Sequence, residues 1–247
     1  MKLVIDTKMK ALSADLENMS LYSREAFELI SDLWLKVGWE LRYPYTFSYL
    51  GFPILQIPED MVRIQEVIFR LKPDVIVETG VAHGGSMIYY ASLCKVMNHG
   101  RVIGIEKGLR CREQIEAHEL SSYITLIEGD STAPEIVAEV HAQCIGLKTL
   151  VILDSDHSKL HVAKELEAYH DLIQSGSYIV ASDGNMKDLH DVPRGSPEWK
   201  WNNPQEAALE FANRHPEFVN EQPNWPFNES KLSKNITYWP SAWLRRN

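Results

Sequence analysis

The sequence predicts an α/β protein with a parallel, doubly wound sheet, and three observations carry that reading. Five short runs rich in β-branched residues, Asp74–Glu78, Arg101–Glu106, Ile124–Glu128, Thr149–Asp154 and Ser177–Ser182, alternate with helix-period segments. Those segments are Gly85–Met97, Arg112–Glu119, Pro134–Cys144 and Ser158–Ile173, and the alternation returns each strand through a helix to a parallel neighbour. The stretch Asp74 to Ser86, DVIVETGVAHGGS, reads as a strand, a glycine loop and the start of a helix. Finally, 247 residues with 45 % hydrophobic content suffice for one α/β domain, and nothing forces a second.

The elements follow in order. Met1 to Lys10 lacks the apolar core of a secretory leader, and no window approaches the roughly 18 apolar residues of a membrane span, so a soluble, cytoplasmic protein is expected. After Ser23, apolar residues at Phe27, Ile30, Trp34, Val37 and Leu41 paint one face of an N-terminal amphipathic helix. The core closes its sheet without that stripe, which therefore covers either a second copy of the chain, making a homo-oligomer, or its own domain. The aromatic link from Tyr43 to Pro53 is broken by two prolines and a glycine, and is either a lid over a cleft or a packed loop. Residues 1–57 thus form a helical extension with its link, and residues 58–247 the main domain.

Pro58 opens a helix with Glu59 and Asp60 in its first turn and Met61, Ile64, Ile68 and Leu71 on one face; Pro73 stops it. Beyond the fifth strand, the polar interval from Asn185 to Pro204 is too long for a plain connection and reads as a functional loop. Gln205–Arg214 resumes as helix, and apolar runs around Phe218 and at Ile236–Trp239 can supply the last strands. Cys94, Cys111 and Cys144 show no CxxC spacing and suit reduced structural thiols. The net charge of −9, with no basic stripe, argues against nucleic acid as a partner.

In a parallel open sheet ligands bind beyond the carboxyl ends of the strands, and here those ends are rich in chemistry. Gly80 and Gly84 permit positive φ or close approach to a ligand, and Ser86 can cap a helix whose free N–H groups favour an anionic or electron-rich group. Glu106 ends the second strand, where an acidic residue can bind both ribose hydroxyls of a nucleoside, and Asp130 after the third can reach its adenine. The loop reads GxxxGG, which implies no pyrophosphate site.

Asp154, Asp156 and His157 end the fourth strand, and Asp183 with Asn185 follows the fifth. Hard oxygen ligands therefore converge in a manner that suits Mg²⁺. Such an ion lowers the pKa of a bound hydroxyl and leaves a side chain to take the proton; His157 and Asp156 are the candidate bases. Asp156 can instead cap the helix near Ser158, and His157 and His83 can be structural.

These motifs bring a family into view. GFPILQIPEDMVRIQEVIF, KPDVIVETGVAHGGS, VIGIE, IEGDSTAPEIV, LDSDHSKLHVAKELEAY, SGSYIVASDG, NNPQEAALEF and AWLRRN, in this order and spacing, resemble the cephalosporin hydroxylase family, also called rhamnosyl O-methyltransferases. The resemblance implies a Rossmann-like class I methyltransferase fold, with a mostly parallel seven-stranded sheet flanked by helices and an N-terminal helical extension.

It further implies methyl transfer from S-adenosylmethionine to a hydroxyl of a small sugar-like or natural-product acceptor, with Mg²⁺ as a second cofactor. Glu78, Gly80 and Ser86 would hold the methionine part, with Gly84 in the same cofactor-binding loop, Glu106 the ribose, and Asp130 with Ser131 the adenine. Asp154 and Asp183, with Asn185, would hold the metal. Many relatives have Asn at the position of Asp156 and an acidic or aromatic residue at that of Ser182. Two other classes compete: an iron oxygenase built on Asp154 and His157, which lacks an obvious second histidine, and a non-catalytic nucleoside-binding module, which would not need intact carboxylates. Acceptor choice is expected in the link Tyr43–Phe52 and the loop Asn185–Asn203, with Trp199 and Trp201.

Overall fold

The computed structural model describes residues 3–15 and 17–247, so the first two positions of the stretch read for a leader lie outside it. Three short strands, β1 (Leu3–Asp6), β2 (Ala11–Ala14) and β3 (Glu17–Ser20), form an antiparallel meander that the sequence analysis does not anticipate. Helix α1 (Arg24–Glu40) follows, and the Ser23 hydroxyl accepts from the Ala26 N–H at 3.1 Å. Leu41 lies just beyond the helix and is exposed. The aromatic link becomes a 3-10 turn, Tyr43–Thr46, and a two-stranded hairpin of β4 (Ser48–Tyr49) and β5 (Phe52–Pro53).

From there the chain is α2 (Pro58–Leu71), β6 (Val75–Thr79), α3 (Gly85–Met97), β7 (Arg101–Glu106), α4 (Arg112–Glu116) and β8 (Ile124–Glu128). It continues through α5 (Pro134–Cys144), β9 (Thr149–Leu153), α6 (Lys159–Tyr169), β10 (Tyr178–Ala181), α7 (Pro204–Arg214), β11 (Phe218–Asn220) and β12 (Trp243–Arg246). The seven-stranded sheet has the order β11-β12-β10-β9-β6-β7-β8, parallel except for β12, which runs antiparallel to both neighbours. Strand order reverses between β6 and β9, the position at which such sheets open a ligand crevice.

Side-chain alternation divides the core in two. Ile76, Val102, Leu150, Ile152 and Val180 pack against α2 and α3 on one face. Val75, Val77, Ile103, Ile105, Val151 and Leu153 pack against α5, α6 and α7 on the other. With both faces covered, β6 and β9 are buried along their whole length.

One expected strand is elsewhere. Ile236–Trp239 is a loop, because its polar groups are already committed: the Tyr238 N–H and the Thr237 hydroxyl donate to the buried Asp60 carboxylate, and the Asn185 N–H donates to the Tyr238 carbonyl. Pro240 next to it has no N–H for a ladder. The closing strand is Trp243–Arg246, paired on both sides. Among the described residues no helix is long and apolar enough to cross a membrane.

Candidate functional site

The strand β6 ends in a turn that its neighbours fix in place. The Gly80 N–H donates to the Ile105 carbonyl at 2.8 Å, and the Asp154 N–H donates to the Thr79 carbonyl at 2.9 Å. Gly80 has φ +87°, and a Cβ on it would lie 2.2 Å from the Asp154 carbonyl oxygen. Only glycine lets the ends of β6 and β9 approach so closely. A Cβ on Gly85 would likewise lie 2.2 Å from the Pro53 carbonyl oxygen, which brings the aromatic link onto the start of α3.

Ser86 does not cap α3. Gly84 occupies the cap position, and the Ser86 hydroxyl donates instead to Glu78 Oε2 at 2.5 Å, because a buried carboxylate is the stronger acceptor. Glu78 is fully buried and its Oε1 makes no hydrogen bond among the described residues, and burial pushes its pKa up to about 8 against the relief from the Ser86 and Tyr90 hydroxyls. Gln56, also buried, and the Tyr90 hydroxyl, which lies next to Glu78 and Gln56, make no well-formed side-chain hydrogen bond among the described residues. Several polar atoms without a full set of partners among the described residues thus gather behind the glycine turn, where a ligand with a charged, hydrogen-bonding end would satisfy them.

Two clefts open over this turn and meet at Pro53, Ala82 and His83. The first, about 260 Å³, reaches Gly80, Ser86, Asp154, Ser155, His157 and Asp183. The second is lined by Glu106, Lys107, Arg110 and Gln114. Glu106 Oε2 accepts from the Val81 and Ala82 N–H groups at 3.1 and 3.2 Å, so this carboxylate also ties the glycine turn to β7. Asp130 and Ser131 line neither cleft. Asp130 accepts from the Thr132 N–H and hydroxyl and pairs with Lys107 at 3.0 Å; those contacts hold its pKa well below the usual carboxylate range.

Ser131 points into a buried network that the sequence analysis misses. Its hydroxyl and that of Ser155 donate to Glu165 Oε1 at 2.5 and 2.8 Å, His161 Nε2 is 3.3 Å from the same oxygen, and Tyr169 donates to the Ser131 carbonyl. The network locks the turns after β8 and β9 onto α6 and so fixes Asp154. Its only sequence signal is the i, i+4 pair His161 and Glu165 on the inward face of a helix.

Asp154, His157 and Asp183 converge, with one ligand atom from each within 4.8 Å of the others. Asp183 adopts a left-handed conformation at φ 58°, and His157 Nε2 lies 3.6 Å from its Oδ2. Burial, with the charges of Asp183 and Glu78 nearby, raises the Asp154 pKa far above its ordinary value; burial also raises that of Asp183, which His157 opposes. Two half-buried carboxylates that repel each other are well matched to a divalent cation.

Asp156 stands outside the cluster. Its Oδ1 accepts from the Ser158 N–H at 2.8 Å, which lowers its pKa and makes it a helix-entry turn and a weak base. Asn185 is buried and lines neither cleft, and its N–H serves the Tyr238 carbonyl.

The far wall of the first cleft is Trp39, Pro44, Tyr45, Arg194, Tyr238 and Trp239. The Arg194 guanidinium lies 4.7 Å over the Trp39 ring, and Trp199 meets Trp39 edge to face at 5.3 Å. The link and the long loop therefore both contribute, but neither Trp199 nor Trp201 lines the cleft; Trp199 backs Trp39 and Trp201 is exposed.

Comparison with known proteins gives the following. A family model described as "Rhamnosyl O-methyltransferase/CmcI" matches residues 41–247. The chain is similar to the rhamnosyl O-methyltransferase of Mycobacterium bovis, 27 % identical over 204 residues, covering 81 % of this chain and 78 % of the relative. Among solved structures it resembles an apo form of CmcI, with TM-score 0.57 and 22 % identity over 82 % of this chain and 76 % of the other. CmcI with Mg and SAM also has TM-score 0.57, at 19 % identity over 82 % and 77 % of the two chains.

Proposed function

The chain belongs to the rhamnosyl O-methyltransferase/CmcI family, and from that premise we propose an S-adenosylmethionine-dependent O-methyltransferase that uses Mg²⁺ and acts on a hydroxyl of a sugar-like or natural-product acceptor. The observation that carries this reading is the pair of half-buried carboxylates, Asp154 and Asp183, that converge within reach of one ion beside the glycine turn. When bound, the cofactor supplies the methyl group and the cation lowers the pKa of the acceptor hydroxyl.

The protein's own part is to bind, orient and take the proton. Glu78, with Gly80, Gly84 and Ser86, is assigned to the methionine end, where the bare Glu78 oxygen suits a cationic ammonium group. Glu106 is assigned to the ribose and Asp130 to the adenine end, with Ser131, whose hydroxyl is held by Glu165, placed there only through its backbone. Asp154 and Asp183 are the cation ligands, with Asn185 as a supporting group. His157 Nε2 is the proton acceptor in preference to Asp156, whose carboxylate is held by Ser158.

Residues 58–247 are read as the catalytic domain and residues 1–57 as an extension that completes the acceptor wall through Trp39 and Tyr45. On α1, Phe27, Trp34 and Val37 are exposed, which supports self-association through that helix in a cytoplasmic protein. Light scattering on a Phe27→Ser, Val37→Ser double variant tests this: the mass is expected to fall, and an unchanged mass in a folded variant removes α1 from the interface.

Calorimetric titration with S-adenosylmethionine and with its demethylated product tests the function itself. Both are expected to bind at one site per chain, and failure of both to bind overturns the reading.

A further inference from the structure

At the opposite end of the sheet from the carboxylate pair, two histidines and three carboxylates lie together. Helices α6 and α7 both run back from the carboxyl ends of the strands, so His170 after α6, His215 after α7 and Glu217 before β11 meet near the amino ends. One ligand atom from each of these three residues lies within 4.8 Å of the others.

The ring orientations are set by their surroundings. His170 Nδ1 is 3.0 Å from the Glu167 carbonyl oxygen, which only accepts, so Nδ1 carries the proton and the neutral ring keeps its lone pair on Nε2. The His215 ring stacks on buried Phe211 at 4.0 Å between centroids, and the His170 ring meets the same phenylalanine at 5.6 Å. His215 stands between two carboxylates, with Nε2 3.3 Å from Glu167 Oε1 and Nδ1 3.4 Å from Glu217 Oε1. Imidazoles whose second nitrogen is held by a carbonyl or a carboxylate are oriented as metal ligands usually are. Asp171 adds a carboxylate 3.4 Å from His170 Nε2. The nearby cations are engaged: Arg214 pairs with Glu167 at 2.9 Å, and Arg246 donates to the Ile173 carbonyl at 2.8 Å.

We propose that His170 Nε2, His215 Nδ1 and the Glu217 carboxylate bind a divalent transition-metal ion of the Zn²⁺ class, apart from the catalytic site. Two imidazole nitrogens and one carboxylate oxygen are a Zn²⁺ donor set, whereas Mg²⁺ prefers oxygen alone. The ion joins the ends of α6 and α7 to β11, and because it binds only the folded chain, it stabilises that chain. The two ends of the sheet then select different metals.

Zn²⁺ is titrated calorimetrically into the whole protein with Mg²⁺ saturating, and the melting temperature is followed with and without Zn²⁺. One equivalent is expected to bind and to raise the melting temperature. Affinity should fall at least about tenfold in His215→Ala and in Glu217→Gln, since each loses one ligand of three. Asp154→Asn should leave this binding unchanged. No Zn²⁺ binding, equal binding in folded His215→Ala and Glu217→Gln, or loss of binding only in Asp154→Asn overturns the proposal. Glu217→Gln alters a surface side chain, so the test stands if His215→Ala fails to fold.

Discussion

The wall of the cleft assigned to the cofactor is built around one turn, Gly80 to Ser86, while the wall assigned to the acceptor is gathered from α1, the aromatic link, the loop after β10 and the segment before β12. The first wall is rigid backbone: ladder hydrogen bonds hold Gly80 and Asp154, and a glycine is required where two strand ends touch. The second is side chains stacked on one another, Arg194 on Trp39 and Trp39 on Trp199. A ligand common to many enzymes can be held by local backbone geometry, whereas a particular acceptor needs surfaces that distant loops can vary. The family match begins at residue 41, so Trp39 lies just outside it and yet lines the cleft.

That division can be broken at several points. The largest effect is expected at the cations' ligands: Asp154→Asn and Asp183→Asn should each lower turnover by at least about a thousandfold while cofactor affinity stays near wild type. Steady-state rates and cofactor calorimetry on the same preparations check this. Next comes Gly80→Val, which places a branched side chain at φ +87° against the Asp154 carbonyl and should abolish cofactor binding and lower the melting temperature. A variant that melts like wild type and binds the cofactor would contradict the close approach.

Glu106→Ala should weaken cofactor binding by about 1.5–3 kcal/mol, since charge-assisted hydrogen bonds are lost both to the ribose and to the Val81 and Ala82 N–H groups that shape the turn. Cofactor binding should also depend on pH through Glu78, whose pKa stands near 8 in the free protein. Because the folded group binds its proton more tightly than the unfolded one, its contribution to stability is present below about pH 4.5 and is lost as pH rises to about 8. A cationic ligand favours the charged form, so affinity should rise with pH by up to about tenfold per unit until pH 8 and then level off. A flat profile, or the same profile in Glu78→Gln, removes Glu78 from the ligand.

The smallest effect belongs to the acceptor wall. Trp39→Ala and Arg194→Ala should raise the acceptor KM by about tenfold each, with cofactor affinity unchanged. A matching loss of cofactor affinity would mean that the two walls are not separate.

The same division governs what the sequence disclosed. The order of βα units and the carboxylates at strand ends follow from local period and turn chemistry, so Glu78, Gly80, Glu106, Asp154 and Asp183 were legible as candidates. Long-range geometry was not. Nothing local told that Trp39 and Arg194, far apart in the chain, would stack at one cleft, or that Asp60 would claim the polar groups of Thr237 and Tyr238 and move the last strand to Trp243–Arg246. Asp156 and Ser131 sat in the right motifs, yet their side chains turned to Ser158 and Glu165, a choice made by the packing of α6. Gln56 was hidden in an otherwise apolar run, where one amide gives little signal.

On the proposed reading, Asp154 and Asp183 hold the cation while the turn after β6 holds the cofactor. The direct measurement is Mn²⁺ titration followed by electron paramagnetic resonance, with Mn²⁺ standing in for Mg²⁺, on wild type, Asp154→Asn and Asp183→Asn, each with and without S-adenosylmethionine. One Mn²⁺ is expected near this pair in wild type, with loss of that site in both variants and cofactor binding that persists in all three proteins. Undiminished Mn²⁺ binding in Asp154→Asn and Asp183→Asn, or a cofactor that no longer binds either folded variant, would contradict it.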